Sequence, residues 1–187
     1  MRWEGLFADL EGQLAAEERR ELDDEVAERT RRERALVTLA DRLAGAAGSS
    51  IRLGLDTGAR VDGELADLGD GWVLLRAHGS GREQLVPTAS VLTVDALGAH
   101  AGAVRSARRF GLGYALRALS RDRATVALSL RGWGAASGAA LVGTIDAVGA
   151  DHLDLAEHPA GVPRRRENVT ALTTVPFAAL VLVESRR

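Results

Sequence analysis

Cysteine is absent from this 187-residue chain, which excludes both a disulfide framework and a thiolate metal site. Lysine is absent too: all 24 basic residues are Arg, and Asn occurs once, at Asn168. With Ala, Gly and Arg abundant, this is the usage that GC-rich codons favour. It points to a GC-rich bacterium, such as an actinobacterium, and to no biochemical function. Aromatic residues make up only 4%, so any core is built from Leu, Val and Ala. A small unit of that kind is marginal alone and is expected to pack on a neighbour. No apolar run reaches the length of a membrane span. The opening Met1-Arg-Trp-Glu-Gly brings an acid at once and no apolar h-region, so a cytoplasmic protein without membrane attachment is expected.

The net charge of −2 hides an uneven distribution. Residues 1–47 carry 12 acids and 8 Arg, residues 104–123 carry 6 Arg and one acid, and residues 163–187 carry 5 Arg and 2 acids. Such asymmetry marks either a partner surface or pairing within the fold. Residues 3–46 have helical periodicity: Trp3, Leu6, Phe7, Leu10 and Leu14, then Leu22 and Val26, then Leu36, Val37, Leu39, Ala40 and Leu43. Glu25–Arg29 and Glu28–Arg32 are favourable i,i+4 pairs. The polar middle third has only a thin apolar stripe. Unbroken, the helix would span roughly 65 Å at 1.5 Å per residue, so it either projects and pairs or bends. Thr30-Arg-Arg-Glu33 is the one capping-box pattern at which it would bend.

The rest of the chain carries a repeat. Gly63-Glu-Leu65-Ala-Asp-Leu68-Gly69-Asp-Gly-Trp72-Val73-Leu-Leu75 recurs as Gly143-Thr-Ile145-Asp-Ala-Val148-Gly149-Ala-Asp-His152-Leu153-Asp-Leu155. A second block follows each copy: Val86-Pro87-Thr-Ala89-Ser-Val91-Leu-Thr-Val94, and Val175-Pro176-Phe-Ala178-Ala-Leu180-Val-Leu-Val183. Matching blocks in the same order imply one small β unit used twice. Short alternating runs at Ile51–Leu55, Val61–Leu65, Trp72–Arg76, Glu83–Val86 and Val91–Val94 give the first copy five strands. Residues 98–111 form a Gly/Ala/Arg linker, Leu112 to Arg121 a short helix, and Thr125 to Leu130 opens the second copy. Gly63 and Gly143 are expected at matching bends, with Leu65, Leu75, Ile145 and Leu155 buried.

A helix followed by five short, strongly bent strands resembles the Sm-like fold of the SH3-type small barrels. The Gly63-x-Leu65-x-x-Leu68-Gly-Asp70-x-Trp72-Val73-x-Leu75 run is similar to the first Sm motif. The resemblance covers both repeats and not the first helix; the chain also resembles uncharacterised actinobacterial proteins. It implies a fold and not the family's uridine site. Trp72-Val73 and His152-Leu153 stand where a polar pocket residue belongs, and Val86-Pro87 and Val175-Pro176 replace the basic residue–glycine pair of the second motif.

The expected architecture is therefore α+β: a long N-terminal helix (1–47, continuous or else bent near 30), a first five-stranded Sm-like or SH3-like barrel (48–97), a basic helical linker (98–123) and a second barrel (124–187). Asp151, His152, Asp154, Glu157 and His158 are the one His/acid cluster. Because Trp72 stands at the repeat position of His152, a structural role is expected there rather than a metal site. No nucleophile elbow or complete phosphate loop is present: Gly111-Leu-Gly113 lacks the third glycine. No enzyme activity, cofactor or metal is expected. Two surfaces are left. Trp3, Leu6, Phe7, Leu10 and Leu14 offer an apolar stripe to a protein partner or to a second copy, which makes a binding or scaffold protein the first expectation. Arg105, Arg108, Arg109, Arg164, Arg165 and Arg166 could engage nucleic-acid phosphates, which is the alternative.

Overall fold

A computed structural model describes residues 2–98, 108–133 and 140–186, with the side chains at 2–11, 14–16, 18, 108–109 and 186 outside the description. The chain divides into two compact units, Met1–Leu39 and Ala40–Arg187. The first is helix α1, Arg2–Ala35. It does not stop at Thr30. It ends where Leu36 and Val37 tighten into i→i−3 hydrogen bonds to Glu33 and Arg34, at the β-branched pair Val37-Thr38 that disfavours helix. Arg32 and Arg34 in the last turn complement the helix dipole. Helix α2, Leu39–Gly45, follows and buries Leu43 in the second unit.

The second unit holds strands β1 (Ser50–Leu55), β2 (Arg60–Asp70), β3 (Trp72–Ala77), β4 (Glu83–Pro87) and β5 (Val91–Asp95). After them come β6 (Arg108–Gly111), helix α3 (Leu112–Arg121), β7 (Thr125–Leu130), β8 (Leu141–Val148), β9 (His152–Glu157), β10 (Ala171–Pro176) and β11 (Leu180–Arg186). Helix α3 has the bounds read from its leucine spacing. The segment taken as linker contains β6, which pairs parallel with the end of β2.

The two halves have the same internal strand order, β4-β3-β2-β1-β5 and β10-β9-β8-β7-β11. Their ladders match residue by residue. Leu65 faces Leu75 with a bulge before Asp67, and Ile145 faces Leu155 with a bulge before Ala147. All four of these apolar side chains are buried. A bulge sharpens the local bend, and a glycine precedes each one. A Cβ on Gly63 would sit 2.5 Å from the Arg76 carbonyl oxygen, and on Gly143 2.1 Å from that of Ala156. Each Val-Pro block is tied to its turn in the same way: the Thr88 N–H donates to Gly71 O at 2.9 Å, and the Phe177 N–H to Asp151 O at 2.7 Å.

The expectation of a helix followed by two five-stranded barrels is overturned. The strands form one open, eleven-stranded sheet, antiparallel but for β6, in the order β10-β9-β8-β7-β11-β4-β3-β2-β1-β5. The halves are joined edge to edge where β11 pairs with β4, Val183 opposite Leu85 and Glu184 opposite Gln84. The cores interlock across that junction. Val181 and Leu182 of β11 pack into the first half's cluster around Leu53, Leu65 and Leu75. Trp72 and Leu85 of the first half pack into the second half's cluster around Leu116, Leu128 and Leu155. Burying an edge in this way removes apolar surface that each half would leave in water on its own. Arg131 adds a bridge, its Nε donating to Asp56 Oδ2 at 2.6 Å.

Candidate interaction surfaces

The His/acid cluster is built from the β8–β9 turn and the end of β9, and it does not converge. His152 lies over the turn glycine; a Cβ on Gly149 would come 2.5 Å from the imidazole. Its Nδ1 is 2.8 Å from Asp151 Oδ1, and that hydrogen bond holds the Asp151 carboxyl below its ordinary value of 3.8. His158 is buried elsewhere. Its Nδ1 is 3.0 Å from the Pro159 carbonyl oxygen and its Nε2 is 2.9 Å from Thr144 Oγ1. A neutral ring with Nδ1–H donating and Nε2 accepting satisfies both partners. Asp154 accepts from Thr174 at 2.7 Å, and Glu157 accepts from Thr173. Among the described residues no group of three or more His, Cys, Asp or Glu is placed to hold a metal ion.

The basic candidates separate. Arg164 forms a two-pronged pair with Asp146, Nε to Oδ1 at 2.9 Å and Nη2 to Oδ2. This pairing raises the arginine's pKa above its ordinary value and occupies the fork a phosphate would use. Arg165 and Arg166 are exposed. Arg105 lies outside the described residues; Arg108 and Arg109 are on β6, with side chains outside the description. Next to them the structure shows what sequence spacing missed. Phe110, the residue after Arg109, stacks on Tyr114 of α3 with ring centroids 4.2 Å apart and planes at 15°, and both rings are exposed. Their i,i+4 separation across the strand–helix boundary was the available signal. Trp72 fixes this corner by donating its indole N–H to the Phe110 carbonyl at 2.8 Å.

On α1, the side chains of Trp3, Leu6, Phe7, Leu10 and Leu14 lie outside the description. From Glu17 to Leu36 the described side chains are exposed, Thr30 alone excepted as half-buried, and they include Leu22 and Val26. The surface is laced by ion pairs. Arg32 pairs with Glu28 as spacing predicts, whereas Arg29 turns to Glu33, at 3.2 Å, and Arg20 reaches Glu17.

Among the described residues no helix is long and apolar enough to cross a membrane. Comparison with models of known families, with curated proteins and with solved structures finds no match to this chain.

Proposed function

We propose that this protein is a non-enzymatic, cytoplasmic binding or scaffold protein that acts through protein–protein contacts and self-associates through α1. The observation that carries this reading is a 34-residue helix whose described side chains from Glu17 onward lie almost entirely in water. Helices draw most of their stability from packing of an apolar face, and one that is polar all round needs ion pairs or a partner. The ion pairs are present, and the stripe from Trp3 to Leu14 offers the partner face. A short coiled-coil contact fits, because heptad positions after Leu14 fall on Glu17 and Glu21. Light scattering of the full chain and of a Phe7→Glu, Leu10→Glu variant tests it. The variant is expected to lose mass in solution, and equal masses would defeat the reading.

The exposed Phe110–Tyr114 stack directly after Arg108 and Arg109 favours a second reading, a nucleic-acid-binding regulator. Aromatic faces flanked by guanidinium groups are what single-stranded nucleic acid binds. Under this reading Phe110→Ala weakens binding of a mixed-sequence oligonucleotide. Alanine at Arg165 and Arg166 flattens its salt slope by about one per lost phosphate contact, and adding Arg164→Ala, whose fork Asp146 occupies, changes it little further. Absence of salt-dependent binding removes it.

A further inference from the structure

We infer that the sheet is continued by a second copy of this chain, whose β5 pairs antiparallel with β10 in the register that β11 makes with β4. This contact goes beyond the helix contact proposed above and does not depend on it.

The template is inside the molecule. The aligned Val-Pro blocks make β10 the counterpart of β4, and β5 the counterpart of β11. The internal junction therefore joins one edge of the first half to the opposite edge of the second. The chain has one more of each: among the described residues β10 and β5 are the two ends of the sheet. An unpaired edge is a ready template for another strand, and natural sheets commonly blunt such edges with basic residues, proline or bulges. Neither β5 nor β10 carries Arg; β5 is bulged at Leu92 against β1, as β11, which does pair with β4, is bulged at Val181 against β7. The one proline, Pro176, is the counterpart of Pro87, which ends β4 without preventing its pairing with β11.

The side chains argue the same way. At the junction Val181 is fully buried. Its counterpart on the free edge is Leu92, 70% exposed. On the other free edge Leu172 is 74% exposed. These are the two most exposed large apolar side chains on the described strands, and they lie on its two unpaired edges. The junction is also bridged by a donor and an acceptor, Gln84 Nε2 to Glu184 Oε1 at 2.9 Å. The counterparts, which would face each other across the new seam, are Thr173 and Asp95; the Thr173 hydroxyl already donates to Glu157, so this bridge is not repeated there. The corner matches as well. Beside β4 a groove lined by Ser80–Glu83 also takes in Ser185 of β11. Beside β10 a groove of about 330 Å³ is lined by Arg164, Arg166 and Val169–Leu172. A docked β5 would bring Asp95 towards the exposed Arg166. Such a contact joins unlike edges, so it leads to a closed ring or an open fibre and not to a two-fold dimer.

The absence of native cysteine gives a clean test in the full chain. Asp95→Cys and Thr173→Cys are made in separate proteins, and each is oxidised alone and mixed. The mixture is expected to yield a disulfide-linked dimer of one chain of each kind, while each variant alone stays largely uncrosslinked. A mixture that crosslinks no better than its components overturns the inference, as does equal crosslinking of Asp95→Cys with itself. Light scattering of Leu92→Lys and Leu172→Lys gives a second measurement that needs no new bond. Both positions already face water, so the fold is kept. Each variant alone is expected to lose mass relative to the parent, and mixing them recovers part of that loss, because each keeps the edge the other has lost. Unchanged masses overturn the inference. The α1 stripe is intact in all four variants, so their failure leaves the helix reading standing, and loss of the helix contact leaves the crosslink intact.

Discussion

In the first half of the sheet a tryptophan closes the glycine turn, and in the second half a histidine does. Trp72 lies over Gly69 and His152 over Gly149, with each ring standing where a Cβ on the glycine would have to be. The backbone under them is the same, a bulged hairpin ending in a tight turn. What differs is how far the ring reaches. Trp72 is buried, extends into the second half's core and ties down Phe110 through its indole N–H. His152 keeps 44% of its side chain in water and reaches only the adjacent Asp151. Each ring requires the glycine beneath it. Whether the ring also joins distant parts of the chain is decided by what lies beyond it, and only the first turn has β6 alongside. A cluster that looks chemical in sequence is, on this comparison, one of two ways to cover a glycine.

Substitutions in matched pairs test how differently the two rings are used. Trp72→Ala should cost about 3–5 kcal/mol, the range for large core truncations, against roughly 1 kcal/mol or less for His152→Ala, as for other surface substitutions. Equal losses in denaturant titrations would mean that the two rings carry the same load. Leu65→Ala and Ile145→Ala remove equivalent buried side chains and should each cost about 2–5 kcal/mol. Because the halves share a core, both variants should unfold in one transition seen by all probes; two separate transitions would show that the halves are independent. Ser90 is fully buried, its one hydroxyl proton shared between the Pro87 and Val181 carbonyl oxygens at 2.7 and 3.0 Å, whereas the second half has Ala179 at that position. Ser90→Ala should cost roughly 1–3 kcal/mol by leaving buried acceptors short of a donor. An unchanged midpoint would show that the serine is not part of what joins the halves.

The smallest expected effect is in acid. The Asp151 carboxyl is held below 3.8 by His152, so its contribution is complete above that value and fades as pH falls through the lower folded value. The stability difference between the parent and Asp151→Asn should therefore shrink towards zero at the acid end. A difference that grows on acidification would reverse the assignment. The first half has no such carboxylate–imidazole pair at Trp72 and should show no matching acid limb.

Much of this architecture was legible in the residues. The spacing of Gly63, Leu65 and Leu75, repeated at Gly143, Ile145 and Leu155, fixed the hairpins, their bends and their buried faces, because strand alternation and close backbone approach are local demands. The bounds of α3 followed from Leu112, Leu116 and Leu119. The pairing of β4 with β11 was not legible. A period of two tells which face of a strand is buried and not which strand lies beside it, and nothing in Leu85 or Val183 names the other. The same gap turned one open sheet into two barrels on paper, and it hid β6 within a Gly/Ala/Arg segment. The break between α1 and α2 was missed for a different reason: the apolar spacing runs on through Leu36, Val37 and Leu39 and reads as one helix to 46, while the weak helix propensity of Val37-Thr38 ends α1 at Ala35. Of the candidate surfaces, the Arg segments and the α1 stripe were visible as composition. The Phe110–Tyr114 stack showed only as an i,i+4 spacing, which carries little weight where it straddles a strand end and a helix start.

The place of β11 has a consequence for the order of events in folding. It comes last of the eleven strands in the chain, yet it lies between β7 and β4 and delivers Val181 and Leu182 to the core of the half that begins at Ser50. A nascent chain thus carries β1 to β5 long before the side chains that complete their packing exist. Such long-range closure slows folding and leaves apolar edges waiting. The first half is obliged to wait for the second, and a truncation that removes β11 should unmake both.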